Sequence, residues 1–133
     1  MTVIESKSVI NKPVEQVYEF LADFNNHQRL MPENVGDWSS SKDEASFTIQ
    51  NMAKLALKVA ERKENQEISI VPSEKAPFDL TLIWKTKSID AVKSEVTLTI
   101  QADLNMMMKM VASGPLKKFT DFQTAKLKEE LAV

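Results

Sequence analysis

Apolar and polar residues alternate through the middle of the chain. Across residues 35–103 no segment keeps a helical period for long, and apolar side chains recur at every second position. The alternating runs are residues 47–49, 55–59, 68–70, 78–84 and 96–102. A period of two predicts antiparallel strands with one buried and one wet face. Short polar breaks at residues 40–44, 63–66, 72–77 and 90–94 predict the loops between them, and a further strand is predicted around Trp38.

Before this region the pattern predicts one strand followed by helix. Residues 2–10 alternate and predict the first strand. Asn11 and Pro13 are typical of a helix start. Helical spacing follows at Val14, Val17, Tyr18, Leu21 and Phe24. Residues 27–31 predict one more short helical turn, which Pro32 ends.

The last element is predicted to be a long helix. Asn105 is a good N-cap, and the helix runs to the C-terminus for about 27 residues, or roughly 40 Å. Its apolar stripe consists of Ala112, Leu116, Phe119, Gln123, Leu127 and Leu131. Pro115, after Gly114, removes a backbone donor and predicts a kink.

These elements together predict an α+β architecture. A curved antiparallel sheet of six to seven strands must bury its apolar face, and only the C-terminal helix is long enough to cover it. One or two short helices follow the first strand. The length of 133 residues predicts one domain, residues 1–133.

Composition excludes several classes of function. A net charge of −2 and a pI near 5.5 argue against nucleic-acid binding. The absence of cysteine excludes disulfides and thiolate chemistry. The N-terminus lacks the layout of a signal peptide and no apolar run reaches membrane-span length, so we expect a cytoplasmic protein without integral membrane association.

Catalytic and metal-binding signatures are also missing. The sequence contains no glycine-rich phosphate loop, nucleophile elbow or paired-carboxylate motif, so no catalytic residue, metal or cofactor is predicted. His27 lies near Asp23 and Glu33, which would suit acid–base chemistry. Its polar surroundings instead favour a solvated surface residue.

Methionine is concentrated at the start of the final helix. Four of the seven methionines lie within residues 105–110. Methionine adapts to irregular shapes, which suits both the wall of a ligand cavity and ordinary core packing. Consecutive methionines cannot all face inward, so an exposed interaction surface is the alternative for part of the cluster. Lysines on the same helix could attract an anionic membrane, but a solvated face is the favoured interpretation.

Several segments resemble a known superfamily. They are Asn11-Lys12-Pro13-Val14, the turn over residues 25–32, Phe78-Asp79-Leu80, and Ala102-Asp103-Leu104 leading into the Met-rich helix. With the order of elements, they resemble the START-related superfamily, also called SRPBCC or Bet v 1-like. The resemblance implies a helix-grip fold with a deep apolar cavity. Members include lipid carriers, plant hormone receptors, polyketide cyclases, oxygenase domains and chaperone activators. The glycine-rich loop of the plant members is absent, which weakens a plant-type role.

The predicted function is to bind or carry a hydrophobic or amphipathic small molecule, lipid-like or polyketide-like. The cavity between sheet and final helix is expected to be lined by Trp38, Phe47, Ile49, Leu55, Leu57, Phe78, Leu80, Leu82, Trp84, Leu98, Ile100, Met107, Met108, Val111 and Phe119. Motion about Gly114-Pro115 would be the gate. Two alternatives stay open: a cyclase or dehydratase acting on a polyketide-like substrate, and a protein-binding domain related to chaperone activators. Enzyme activity is left undecided, with binding favoured, and the oligomeric state is not predicted.

Overall fold

Seven strands form one antiparallel sheet in the computed structural model, which describes residues 2–50, 53–75 and 79–132 and, at residue 53, the backbone alone. The strands are β1 (Thr2–Ile10), β2 (Val35–Ser40), β3 (Glu44–Ile49), β4 (Ala53–Lys63), β5 (Glu67–Pro72), β6 (Leu80–Asp90) and β7 (Lys93–Ala102). Their order across the sheet is β1-β7-β6-β5-β4-β3-β2. The predicted α+β class, the number of strands and the additional strand at Trp38 are confirmed.

The two ends of the sheet are reached in different ways. From β2 to β7 each strand pairs with the next along the chain, so this part is a meander of hairpins. β1 instead pairs with β7, from Thr2 opposite Ala102 to Ile10 opposite Ser94. β1 and β7, the first and last strands along the chain, are thus neighbours, and the sheet curls around the apolar side that it must bury.

Among the residues that the structure describes, three helical segments complete the fold: α1 (Val14–Ala22), a 3-10 helix (Phe24–Leu30) and α2 (Met106–Glu130). Pro13 precedes α1, as the sequence predicts. The short helical turn begins earlier than predicted, because the Asp23 carboxylate accepts a hydrogen bond from the backbone N–H of Asn25 at 3.0 Å. Asn105 caps α2 as expected: its Oδ1 accepts the backbone N–H of Met108 at 2.8 Å.

The inward faces of the strands carry the predicted alternating residues. Along β7, for example, Val96, Leu98, Ile100 and Ala102 are all buried. β3, β5 and β6 contribute inward residues in the same alternating way, and these join Val17 and Leu21 of α1 in one apolar core. This burial is the main favourable term that holds the sheet to the helices.

α2 lies against β1, with further contacts to β7 and the 3-10 helix. The Ser6 and Thr124 hydroxyls are 2.7 Å apart in this interface, and the Lys117 ammonium donates to the Glu5 carbonyl at 2.7 Å. The buried stripe of α2 follows the prediction, whereas no residue of its first six, 106–111, is buried. The helix continues through Gly114 and Pro115.

Neither α1 nor α2, nor any other helix within the described ranges, combines the length and the apolar character that crossing a bilayer requires.

Candidate functional site

A small void lies between the sheet and α2. Its walls are Phe24, His27, Met31, Phe47, Leu57, Ile70, Leu82, Trp84, Phe119 and Gln123. Its volume is about 10 Å³, which is the room that about one water molecule needs. The walls come from four strands, the 3-10 helix and α2, so every layer of the fold meets at this point.

The structure brings together many of the residues predicted to line a cavity. Those on the wall of the void are Phe47, Leu57, Leu82, Trp84 and Phe119. Those buried elsewhere in the same core are Ile49, Leu80, Leu98 and Ile100. Trp38 and Leu55 are half-buried against this core, Met108 is half-buried on α2, and Phe78 lies outside the described residues.

Met107 and Val111 do not lie where the sequence analysis placed them. Their side chains are 76% and 68% exposed. The physical reason is helical geometry. The buried stripe begins at Ala112 and continues at Leu116, so the residue one turn before Ala112 on the same side of the helix is Met108. Met107 and Val111 lie on the opposite side of α2, so they do not contribute to the interior.

His27 is also in a different place from the one expected. It is only 2% exposed, and its ring packs against Phe24 and Trp84, with centroid distances of 4.8 and 6.1 Å. Its Nε2–H donates to the Leu21 carbonyl oxygen at 2.7 Å. The prediction of a solvated surface histidine was wrong.

Burial keeps His27 neutral. Loss of water lowers its pKa from 6.5 to about 4, although the hydrogen bond to Leu21 and the charge of Asp23 act in the opposite direction. In a neutral imidazole one nitrogen donates and the other accepts. Because Nε2 donates to Leu21, Nδ1 carries the lone pair and is available as an acceptor.

Gln123 supplies the second polar group at the void. It lies on the buried stripe of α2 and is 2% exposed. Its Nε2 donates to the sulfur of Met31 at 3.4 Å, a weak bond, and its Oε1 has no hydrogen-bond partner within the described part of the chain. A buried carbonyl oxygen without a partner costs about 1–3 kcal/mol, and a water or the hydroxyl of a ligand in the adjoining void would supply the missing bond.

The sheet side of the void is stiffened by aromatic packing. Trp38 stacks on Phe47 with ring centroids 5.3 Å apart, and Phe24 meets Trp38 edge-on at 6.5 Å. The Trp38 indole N–H donates to the Ser40 hydroxyl at 2.9 Å, which holds the ring in place. One wall is therefore rigid, whereas the opposite wall includes the pliable side chain of Met31.

The chemistry of this site is that of a neutral binding pocket. Its walls are apolar except for the side chains of two residues, Gln123 and His27. No carboxylate, lysine or arginine is among the residues that line the void. Over residues 2–50, 53–75 and 79–132 no cluster of three His, Cys, Asp or Glu side chains could hold a metal ion.

Comparison with solved structures identifies the fold. The chain superposes on XoxI from Bacillus cereus with a TM-score of 0.80 at 12% identity, covering 99% of this chain and 96% of that one. For the Zhui aromatase/cyclase from Streptomyces sp. R1128 the TM-score is 0.74 at 13% identity, with coverages of 98% and 93%. For a START superfamily protein from Mycobacterium smegmatis it is 0.72 at 10% identity, with coverages of 98% and 97%.

No family model matches the sequence, and no curated protein matches it. The structural likenesses show that the chain has the helix-grip fold, which the resemblance noted in its sequence implied.

Proposed function

We propose that this protein binds a small, mainly apolar, uncharged molecule in the interior between the sheet and α2. The observation that carries the proposal is that Gln123, whose buried Oε1 has no hydrogen-bond partner among the described residues, lines an apolar void together with His27. Proteins whose folds resemble this one include a START superfamily protein and an aromatase/cyclase, and this supports a ligand-binding role.

The two acceptors select the polar end of the ligand. A hydroxyl or an amide N–H can donate to the Gln123 oxygen or to His27 Nδ1, and thereby supply the bond that this buried oxygen lacks. A carboxylate or phosphate would find only the Gln123 amide as a side-chain N–H donor free of a strong bond and would lose most of its hydration without compensation. The ligand is therefore a neutral molecule with a hydroxyl or amide group, not a fatty acid or a phospholipid headgroup.

Room for the apolar part requires movement. A void of about 10 Å³ holds one water, whereas pockets for small ligands measure roughly 300–1,000 Å³. The first half of α2 is the element that can move, because none of residues 106–111 is buried and Gly114-Pro115 weakens the helix beyond them. Displacement of this half, with repacking of Met31, would open the void towards solvent.

A matched pair of probes tests the proposal. 1-Decanol and decanoate share a chain length and differ in the polar end, and each is titrated while tryptophan fluorescence is recorded. Trp84 lies on the void and Trp38 packs beside it, so both are internal reporters. We expect decanol to perturb the fluorescence saturably and decanoate to do so only at much higher concentration, because a buried anion has no partner there.

The variant Gln123→Leu tests the anchor. It removes the acceptor but keeps an apolar side chain of similar size, and we expect decanol affinity to fall roughly three- to tenfold, the value of one hydrogen bond. Gln16→Leu, on the exposed face of α1, is the matched control and leaves affinity unchanged. If neither probe binds, or if both bind alike in wild type and Gln123→Leu, the proposal is rejected.

A cyclase-type enzyme is the second candidate, because a buried histidine lies on the void. A general base works best with a pKa near the working pH, however, and burial holds the pKa of His27 at about 4. A neutral imidazole of this kind is better suited to orienting a bound hydroxyl than to removing a proton at neutral pH. Conversion of a linear poly-β-ketone mimic by wild type, but not by His27→Phe, would place the enzyme ahead of the binding module.

A further inference from the structure

The solvent side of α2 carries an apolar surface that the interior site does not use. Met106, Met107, Met110 and Val111 are 82%, 76%, 82% and 68% exposed, and we refer to these four residues as the methionine patch. Their spacing of one and four residues puts them on one face of the helix, opposite the buried stripe that starts at Ala112. Phe122, 41% exposed, continues this face further along α2. Large exposed apolar clusters mark interaction surfaces.

Positive charge surrounds the methionine patch. Residues 106–120 contain three lysines, Lys109, Lys117 and Lys118, and no acidic residue, although the whole chain has a net charge of −2. Lys117 is engaged with Asp121 at 2.9 Å and with the Glu5 carbonyl. Lys118 lies two turns after Val111 and one turn before Phe122, so it stands within the exposed apolar face. Asp103, just before the helix, is the nearest acidic residue on the N-terminal side.

The combination fits one kind of partner. Flexible exposed apolar side chains with lysines beside them suit the interface of a membrane that contains anionic lipids. Lysine stems lie along the acyl boundary while their ammonium groups reach the phosphates. A second copy of the chain would instead bring the same lysines face to face, which like charges oppose.

We propose that the methionine patch docks this protein on the surface of an anionic lipid bilayer. Met106, Met107, Met110 and Val111 enter the interfacial layer, and Lys109 and Lys118 contact lipid phosphates. This docking is a function separate from ligand binding in the interior, and it requires neither Gln123 nor His27. It involves the same half of α2 that must move to open the void, so a bilayer would hold that half away from the sheet.

Vesicle flotation tests the docking directly. The probes are vesicles of phosphatidylcholine alone and vesicles with about one quarter phosphatidylglycerol, mixed with the whole protein. We expect flotation with the anionic vesicles only, and its loss as salt rises from about 0.1 M to about 1 M, because salt screens the lysines. Equal flotation with both vesicles, or flotation with neither, overturns the proposal.

The absence of cysteine allows the contact to be located. Met110→Cys and Val92→Cys each create one labelling site, and Val92 is an exposed residue in the hairpin after β6. With a polarity-sensitive fluorophore attached, the label at position 110 should shift to the blue on anionic vesicles, and the label at 92 should not. A shift at both positions, or only at 92, means that a different surface touches the lipid and the proposal fails.

Charged substitutions in and beside the methionine patch are the third test of the docking. The double variant Met107→Asp/Met110→Asp should weaken vesicle binding roughly tenfold or more, and Lys118→Glu should weaken it and flatten the salt dependence. Val92→Asp is the matched control. All these sites are exposed, and an unchanged circular dichroism spectrum verifies the fold.

Unchanged vesicle binding in the double variant refutes the proposal. A dimer that is detected by sedimentation and that the double variant dissociates refutes it as well. Decanol binding, measured without vesicles, can succeed or fail independently of every outcome here.

Discussion

At the scale of single residues, the interior combines a rigid apolar wall with an amide oxygen, that of Gln123, for which the described part of the chain offers no hydrogen-bond donor. The Gln123 side chain is nearly inaccessible and lines the void, next in sequence to Thr124, whose hydroxyl pairs with Ser6 and joins α2 to β1. In natural proteins a buried oxygen of this kind is completed by an ordered water or by a ligand. Stability and ligand binding therefore make opposite demands on this one position.

Gln123→Leu should raise the free energy of unfolding by about 1 kcal/mol, because the unpaired oxygen disappears and an apolar side chain of similar size fills its place. Urea denaturation of the ligand-free protein measures the change. Thr124→Val is the contrasting control: it leaves the Ser6 hydroxyl without its 2.7 Å partner and should lower the free energy of unfolding. A Gln123→Leu protein less stable than wild type would mean that the amide is satisfied in the ligand-free state.

His27 makes stability depend on pH in a defined window. Its pKa is lowered from 6.5 to about 4 in the folded state, so between these values the unfolded chain binds more protons and stability falls as the pH falls. From about pH 7 to about pH 4, this one group should remove about 3 kcal/mol from the free energy of unfolding. The measurement is urea denaturation across that range, with His27→Gln as the control because its amide can still donate to Leu21. Equal pH dependence in both proteins would contradict the assignment.

The burial of His27 shows where sequence analysis of single residues stops. The turn over residues 25–29 is polar, and this composition favoured solvent exposure. The chain there forms a 3-10 helix, whose three residues per turn direct Phe24, His27 and Leu30 to the same buried side. The apolar residues Phe24 and Leu30 indicate a buried side, but His27 falls on that side only if the helix has three residues per turn rather than the 3.6 of an α-helix.

At the scale of elements, the two halves of α2 differ in what holds them. From Ala112 onward the helix buries a continuous stripe against β1 and the 3-10 helix, whereas residues 106–111 bury none of their side chains. The stripe was predictable from spacing of three and four. The same spacing, extended backward by one turn, selects Met108 as the inward residue and directs Met107 and Val111 outward. The prediction placed Met107 and Val111 inside because it relied on the abundance of methionine rather than on this spacing.

Gly114→Ala tests how loosely the first half is held. A Cβ at this position meets nothing within 4 Å outside its chain neighbours, so the substitution adds helix propensity, although crowding against the Pro115 ring offsets part of the gain, and it should stabilise by up to about 1 kcal/mol. Hydrogen exchange should slow at the amides of residues 110–114 and stay unchanged in β7. Ala125→Gly, at an exposed position in the second half, is the reverse control and should destabilise by about the same amount. Faster exchange in Gly114→Ala would show that the glycine is needed for packing.

At the scale of the whole molecule, topology was far more predictable than interior volume. Alternating strands, short polar breaks and one long terminal helix leave few arrangements that bury every apolar face, and the observed sheet is one of them. The volume at the centre depends on how side chains such as Trp84, Phe47 and Phe119 interlock, and a shift of less than one methyl group changes it. Hydrophobic pattern contains no information at that resolution.

Because the described void is about the size of one water, ligand uptake should be limited by opening of the molecule rather than by encounter. In stopped-flow fluorescence, the observed rate of decanol binding should therefore rise with concentration and then reach a plateau, which equals the opening rate. Gly114→Ala should lower that plateau roughly two- to fivefold, because up to about 1 kcal/mol of added helix stability must be overcome before the first half of α2 moves. Gln16→Leu, remote from the void, should leave the plateau unchanged. A rate that climbs linearly with concentration in all three proteins would show that the closed conformation already admits the ligand, and that α2 is not the gate.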